Sequence, residues 1–212
     1  MTNILVIAAH PDLYQSRVNR KLLDAARSLE SDSLQVRDLY ALYPDYLIDV
    51  DAEQAALERA DLVVWQHPFH WYSMPPLMKL WLDEVFDFGW AYGHVGDHAG
   101  RALHGKDLWL VISAGGGETA YHPSGYNRYF FDAFMPPYEQ TAALCGMRFL
   151  PPMVMYASQR ADTQTLNEHA QRYRDLLASY PRWPEIEALE PREGCDVPED
   201  DRPHGELARE DA

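Results

Sequence analysis

Three short stretches carry residues whose types and spacing could do chemistry together. The first runs from His10 to Asn19, where His10-Pro11 ends an apolar run, Ser16 stands at the start of a helical pattern, and Arg17, Val18 and Asn19 occupy its first turn. A strand, a short polar loop and a helix N-terminus in that order make an anion site, because free backbone N–H groups and the helix dipole both favour negative charge. The second is the loop from His67 to Tyr72, in which Phe69, His70, Trp71 and Tyr72 offer flat faces suited to a planar aromatic ligand. In the third, Ser113 and Ala114 lead into Gly115, Gly116 and Gly117, with Tyr121 a few residues on. Glycines at a strand's carboxyl end let a ligand approach the backbone closely. A phosphate, a planar ring and a row of N–H donors are the chemistry these stretches suggest. Each also has a plain structural reading: His10 ends a strand, Trp71 and Tyr72 fill a core or an interface, and the glycines make a loose turn.

The elements that must position them alternate. Asn3–Ala9, Leu34–Tyr40, Leu62–Trp65, Leu108–Ser113 and a stretch within Arg148–Ala157 read as strands, the last interrupted by Pro151-Pro152. The unbroken apolar runs among them are those of strands buried on both faces, as in a parallel sheet. Between them come helical patterns. Ser16 caps one whose stripe is Val18, Leu22, Ala25, Ala26 and Leu29. Asp51 is a cap for a short helix to Ala60. Ser73 is a cap, with Pro75 and Pro76 in the first turn, for a helix carrying Leu77, Leu80, Trp81 and Val85. Phe130–Leu144 is helical in part, Asp87–Lys106 reads as loop, and Thr163–Ser179 is an amphipathic helix with Leu166, Ala170, Tyr173 and Leu177 on one face. Such alternation predicts an α/β fold, a doubly wound parallel sheet of five strands in the flavodoxin-like order 2-1-3-4-5. The ligand crevice of such a sheet collects the loops after strands one, three and four, which are the three stretches singled out above.

Charge narrows the function classes. The formal net charge of −15 over 212 residues argues against nucleic-acid binding. The charge is uneven: Glu185–Ala212 holds eleven acidic residues and three Arg, a net of −8. From Pro181 onward apolar periodicity stops, so residues 1–180 read as one domain and 181–212 as an acidic, poorly ordered tail. Two cysteines, Cys145 and Cys195, make no disulfide framework, and no run approaches a membrane span, so a cytoplasmic location is expected. The chain lacks GxGxxG, GxxxxGK[ST] and GxSxG, the signatures of dinucleotide-binding, P-loop and hydrolase sites. His94, His98 and His104 lie in a glycine-rich loop without a tight ligand spacing, so no metal is assigned.

The combined motifs carry a resemblance. AHP followed by Ser16 and Asn19, then QHPFHWYSMPPLMKLWLDEVF, GWAYG, LHGK and GGGE, resemble the NAD(P)H:quinone oxidoreductase family of DT-diaphorase type, nearest to the ancillary flavoproteins of glutathione-gated potassium-efflux systems. The likeness spans roughly Asn3 to Leu177. It implies a flavodoxin-like homodimer that binds FMN or FAD and reduces quinones by two electrons from NAD(P)H. Carried over residue by residue, His10, Ser16, Arg17, Val18 and Asn19 would hold the flavin phosphate and ribityl chain. Phe69, His70, Trp71 and Tyr72 would hold the isoalloxazine ring. Ser113, Ala114, Gly115 and Gly116 stand where the family writes TTGG, so a hydroxyl is lost at Ala114. Tyr121 matches a family tyrosine beside the flavin and is the catalytic candidate. The histidine that accompanies it in mammalian enzymes has no clear match, and Asn127 falls near its place. The resemblance also implies an alternative role, as a regulatory subunit of a potassium/proton antiporter, held at the inner membrane through that partner.

Overall fold

A computed structural model of the chain describes residues 2–95, 98–187 and 189. Five strands, β1 (Ile4–Ala8), β2 (Leu34–Asp38), β3 (Leu62–Pro68), β4 (Asp107–Ser113) and β5 (Arg148–Met155), form one parallel sheet in the order β2-β1-β3-β4-β5. This is the order 2-1-3-4-5 that the alternation predicts. Ile4 pairs with both Leu34 and Leu62, and Leu62 with Asp107, so the strands start level and their carboxyl ends finish together. Every residue of β1, β3 and β4 is buried. Their apolar runs need cover on both faces, and helices supply it.

On one face α1 (Arg17–Arg27) and α6 (Thr163–Ser179) pack side by side over Val6, Val64 and Trp109. On the other, the short α2 (Leu39–Leu42), α3 (Val50–Arg59), α4 (Pro76–Val85) and α5 (Pro136–Leu144) cover Ile7, Trp65 and Leu110. Helix α6 has the bounds and the buried face, Leu166, Ala170, Tyr173 and Leu177, that its periodicity predicts. The large apolar residues of α4 are consumed internally, with Leu77, Met78, Trp81 and Val85 all buried. They therefore do not supply the outward apolar surface that a dimer contact needs.

The local differences from expectation have identifiable causes. Strand β3 continues to Pro68, so His67 lies inside a buried strand and the loop begins at Phe69. Strand β2 stops at Asp38, where the chain turns into α2. Asp49, not Asp51, caps α3: its carboxylate accepts the Ala52 N–H at 3.0 Å, while Asp51 sits in the first turn, where the dipole favours it. Ser73 does not cap α4. Pro75 holds the cap position and Pro76 opens the helix. The expected loop Asp87–Lys106 contains a two-stranded ribbon, His94–Val95 against His98–Ala99. Pro151-Pro152 does not break β5, because the strand lies on the sheet edge and bulges there: Trp109 pairs with Leu150 but Val111 with Met153, one extra residue on β5.

Residues 181–187, expected to belong to the tail, instead fold back on the sheet. Trp183 packs on Trp109 with ring centroids 4.7 Å apart, and Ile186 in the short α7 (Pro184–Glu187) is also buried. Two apolar side chains suffice to anchor a segment without periodicity. The expected tail from 190 onward lies outside the described residues. No helix among the described residues is long and apolar enough to cross a membrane.

Candidate functional site

The loops after β1, β3, β4 and β5 enclose a cleft of about 560 Å³ at the carboxyl end of the sheet. Of the residues picked out by sequence, His10, Ser16, Arg17, Val18, Phe69, His70, Ser113 and Gly115 line it. Asn19 and Ala114 lie buried and outside its lining. The Asn19 amide donates to the Ser113 hydroxyl at 2.7 Å and its backbone carbonyl accepts from Gln66 at 3.0 Å, which ties α1 to β4 and β3. Trp71, Tyr72, Gly116 and Tyr121 are not in the lining. Asp12, Gln15 and Pro68 are, within the loops singled out by sequence but not named there as contacts, and so are Ser158 and Gln159, from a loop that sequence reasoning missed. The signal for Ser158 and Gln159 was available: strand five neighbours strand four, so its loop must adjoin the glycine loop.

The α1 end of the cleft suits an anion. The Ser16 hydroxyl caps the helix by accepting the Asn19 N–H at 3.1 Å, which leaves Arg17 and Val18 N–H without intrahelical partners. Next to them, His10 Nδ1 accepts the Asp12 N–H at 3.1 Å, so the neutral ring carries its proton on Nε2. Burial, and then the neighbouring His70 ring 6.0 Å away, hold the His10 pKa below the usual imidazole range; burial does the same for His70. Both rings are therefore neutral at pH 7 and available as uncharged donors or acceptors.

The loop after β3 is strained. His70 and Ser73 close a tight turn with reciprocal N–H to carbonyl bonds, both 3.0 Å. The two residues between them are left-handed, Trp71 at φ 49° and Tyr72 at φ 65°. Such backbone at a bulky residue costs about 1–3 kcal/mol and persists where surroundings impose it. Tyr72 is held by stacking on Phe134 (5.2 Å, 17°) and by donating its hydroxyl proton to Asn127 Oδ1 at 3.3 Å. Trp71 is left 92% exposed beside the cleft-lining His70.

In the glycine loop the two central glycines do different things. A Cβ on Gly115 would meet nothing within 4 Å, so this backbone is open. A Cβ on Gly116 would lie 2.7 Å from the Tyr126 hydroxyl and 3.1 Å from the Tyr121 ring, so a side chain there would have to push both tyrosines aside. Tyr121 is buried among Phe131 (5.1 Å), Tyr156 (5.7 Å) and the cleft-lining Phe69 (6.3 Å), and burial pushes its hydroxyl pKa up. Below the cleft, His67 is fully buried and stacks on Tyr138 (5.8 Å, 15°), and burial pushes its pKa down to about 4. Among the described residues no group of three or more His, Cys, Asp or Glu is placed to hold a metal. Cys145 is buried, its thiol pushed up to about 12, and so unreactive.

A parallel sheet with a free helix N-terminus and open backbone at its switch point has the arrangement in which doubly wound α/β proteins place their ligands. The family described as Flavodoxin-like fold matches residues 2–177, and the chain belongs to it. Among solved structures, it resembles a protein described as a thermophilic tryptophan halogenase from Streptomycin violaceusniger, at 42% identity and a TM-score of 0.75, covering 82% of this chain and 97% of that one. It resembles general stress protein 14 of Treponema denticola, solved in complex with FMN, at 38% identity and a TM-score of 0.73, covering 83% and 96%. An NADPH-quinone reductase from P. pentosaceus matches at 25% identity and a TM-score of 0.71, covering 82% and 96%. Two of these three are named for an activity, and the two activities differ, so what they share with this chain is a fold and not a single substrate.

Proposed function

We propose that the protein is a flavin-dependent oxidoreductase that takes hydride from NAD(P)H and delivers two electrons to a quinone. The observation that carries this reading is the convergence on one cleft of a free helix N-terminus, a loop rich in aromatic residues and an open glycine backbone. The fit to FMN is specific in its parts. The N–H groups of Arg17 and Val18, the Ser16 hydroxyl and the Nε2–H of His10 suit a terminal phosphate. Phe69 and His70, with the Trp71-Tyr72 turn beside them, suit the ring, and the open backbone at Gly115 suits its polar edge. The T. denticola neighbour in complex with FMN and the quinone reductase of P. pentosaceus support the same cofactor and reaction.

Bound there, a flavin would supply reversible hydride acceptance, which no side chain provides. The chain's own contribution is orientation and charge. Glycine-loop N–H groups would stabilise negative charge on the ring's polar edge, as preorganised donors do in an oxyanion hole. His10 serves the phosphate end, while the neutral His70 beside Phe69 would offer the ring an uncharged hydrogen-bonding partner. Two substrates that reached the ring in turn through the same cleft would give ping-pong kinetics. Trp71, Tyr126, Tyr129 and Phe130 stand exposed on these loops, a surface that supports pairing with a second copy. Light scattering at micromolar concentration should then give twice the 24.4 kDa chain mass.

The test is to purify the protein, identify the released cofactor, and measure NAD(P)H oxidation with and without a quinone. A yellow protein releasing FMN, with quinone-dependent oxidation and parallel double-reciprocal plots, is the expected result. A colourless protein that fails to quench FMN or FAD fluorescence would overturn the reading.

A further inference from the structure

The cleft has a wall that a three-loop reading leaves out. After β5 the chain turns at Ala157, which holds φ 50°, a left-handed conformation that residues with a Cβ rarely adopt. Two backbone bonds impose it: Ala157 N–H donates to the Gly116 carbonyl at 2.8 Å, and Ser158 N–H to the Ala114 carbonyl at 3.0 Å. The turn is thereby laced to the glycine loop. The next two residues, Ser158 and Gln159, line the same cleft as Ser16 and Arg17. Strain of this kind is kept where the surroundings fix a useful geometry, and here it aims a hydroxyl and a carboxamide at the ligand space.

Which end of the ligand they meet follows from the helices. Because α1 and α6 lie side by side on one face, the loops leading into their N-termini adjoin. The Asp162 carboxyl, which caps α6 by accepting the Thr165 N–H at 2.7 Å, is held below the usual range first by that bond and further by the charge of Arg17. Asp162 closes the N-terminus of α6, so the open anion site of this region is that of α1, with Ser158 and Gln159 next to it.

We propose that Ser158 and Gln159 form a fourth ligand-binding loop that donates hydrogen bonds to the phosphate end of the bound flavin. This rests on the flavin reading above and extends it to residues outside the three loops. The experiment uses flavin-free full-length protein titrated with FMN and with riboflavin, which has the same ring and ribityl chain but no phosphate. Gln159→Glu puts a carboxylate where the phosphate ends. Gln159 is exposed, so the change leaves the core alone, and an unaltered melting temperature checks this. FMN affinity should fall at least tenfold while riboflavin affinity changes less than twofold, and Ser158→Ala should weaken FMN several-fold. Equal losses for both ligands would place the loop at the ring end, and no loss for either would place it outside the site; both results overturn the proposal. A wild-type chain that binds neither ligand ends the flavin reading as well, whereas wild-type binding with indifferent variants ends this one alone.

Discussion

His67 shows what burial does to a single titratable group. Its folded-state pKa is about 4 and its unfolded value near 6.5. As pH falls the unfolded chain takes up this proton first, so the stability conferred by a neutral buried ring is complete above about pH 6.5 and declines toward pH 4. The loss is on the order of 3 kcal/mol. His169 is also held near 4 by burial, with Arg172 adding to the effect, but it is less enclosed and contributes less over the same window. Denaturant titrations between pH 4 and 7 should show this slope, and His67→Phe, which keeps the ring stacked on Tyr138, should flatten most of it. An unchanged slope would remove His67 as the cause. At Tyr121 the resemblance implies chemistry, yet the ring lies outside the cleft lining, under Gly116 and against Phe69. Tyr121→Phe is therefore expected to keep flavin content and both half-reactions within a few-fold of wild type. A tenfold slowing in rapid mixing would put the hydroxyl in the reaction. The site was legible where chemistry needs a side chain at a fixed place, as with His10, Ser16 and Arg17. It was not legible at Tyr121 or Gly116, whose partners come from loops distant in sequence.

At the scale of elements, one ionic cluster fastens the face that carries the Trp71-Tyr72 turn. Glu53 on α3 is fully buried and accepts from Arg37 Nε of β2 at 2.8 Å, from Trp81 Nε1 of α4 at 3.0 Å, and from the Tyr43 hydroxyl. Removing one member leaves a charge without its partner in the interior. Arg37→Leu should cost about 3–5 kcal/mol, and Arg37→Leu with Glu53→Leu much less than the sum of the single losses. Equilibrium unfolding of the four proteins checks this, and additive losses would refute it. None of this cluster is visible from periodicity, because Glu53 reads as an ordinary first-turn acid. By contrast α6 was legible to the residue, since a 3.6-residue stripe on a long helix leaves one solution. Strand β3 was cut short because Gln66 and His67 are polar and Pro68 has no N–H for a ladder, although the parallel sheet buries all three.

For the whole molecule, residues 181–187 are part of the core and not an appendage to it. Trp183 sits against Trp109 and donates its indole N–H to the Leu176 carbonyl at 2.8 Å. Trp183→Ala should therefore cost about 3–5 kcal/mol, with a chain ended after Tyr180 comparably destabilised, while FMN binding at the opposite end of the strands persists below the melting temperature. A melting temperature indifferent to both changes would return this segment to the tail. The sequence misleads here because composition alone hides two anchoring side chains among prolines and acids. The proline pair at the bulge of β5 has a consequence for how copies of the chain can meet. An outer strand ordinarily offers a row of N–H and carbonyl groups on which a neighbour's strand can continue the ladder. Pro151 and Pro152 have no N–H to give, and the extra residue between Leu150 and Met153 throws the spacing out of step. The sheet therefore does not lengthen past β5 into a fibre or a shared layer, and whatever meets this edge must do so through side chains.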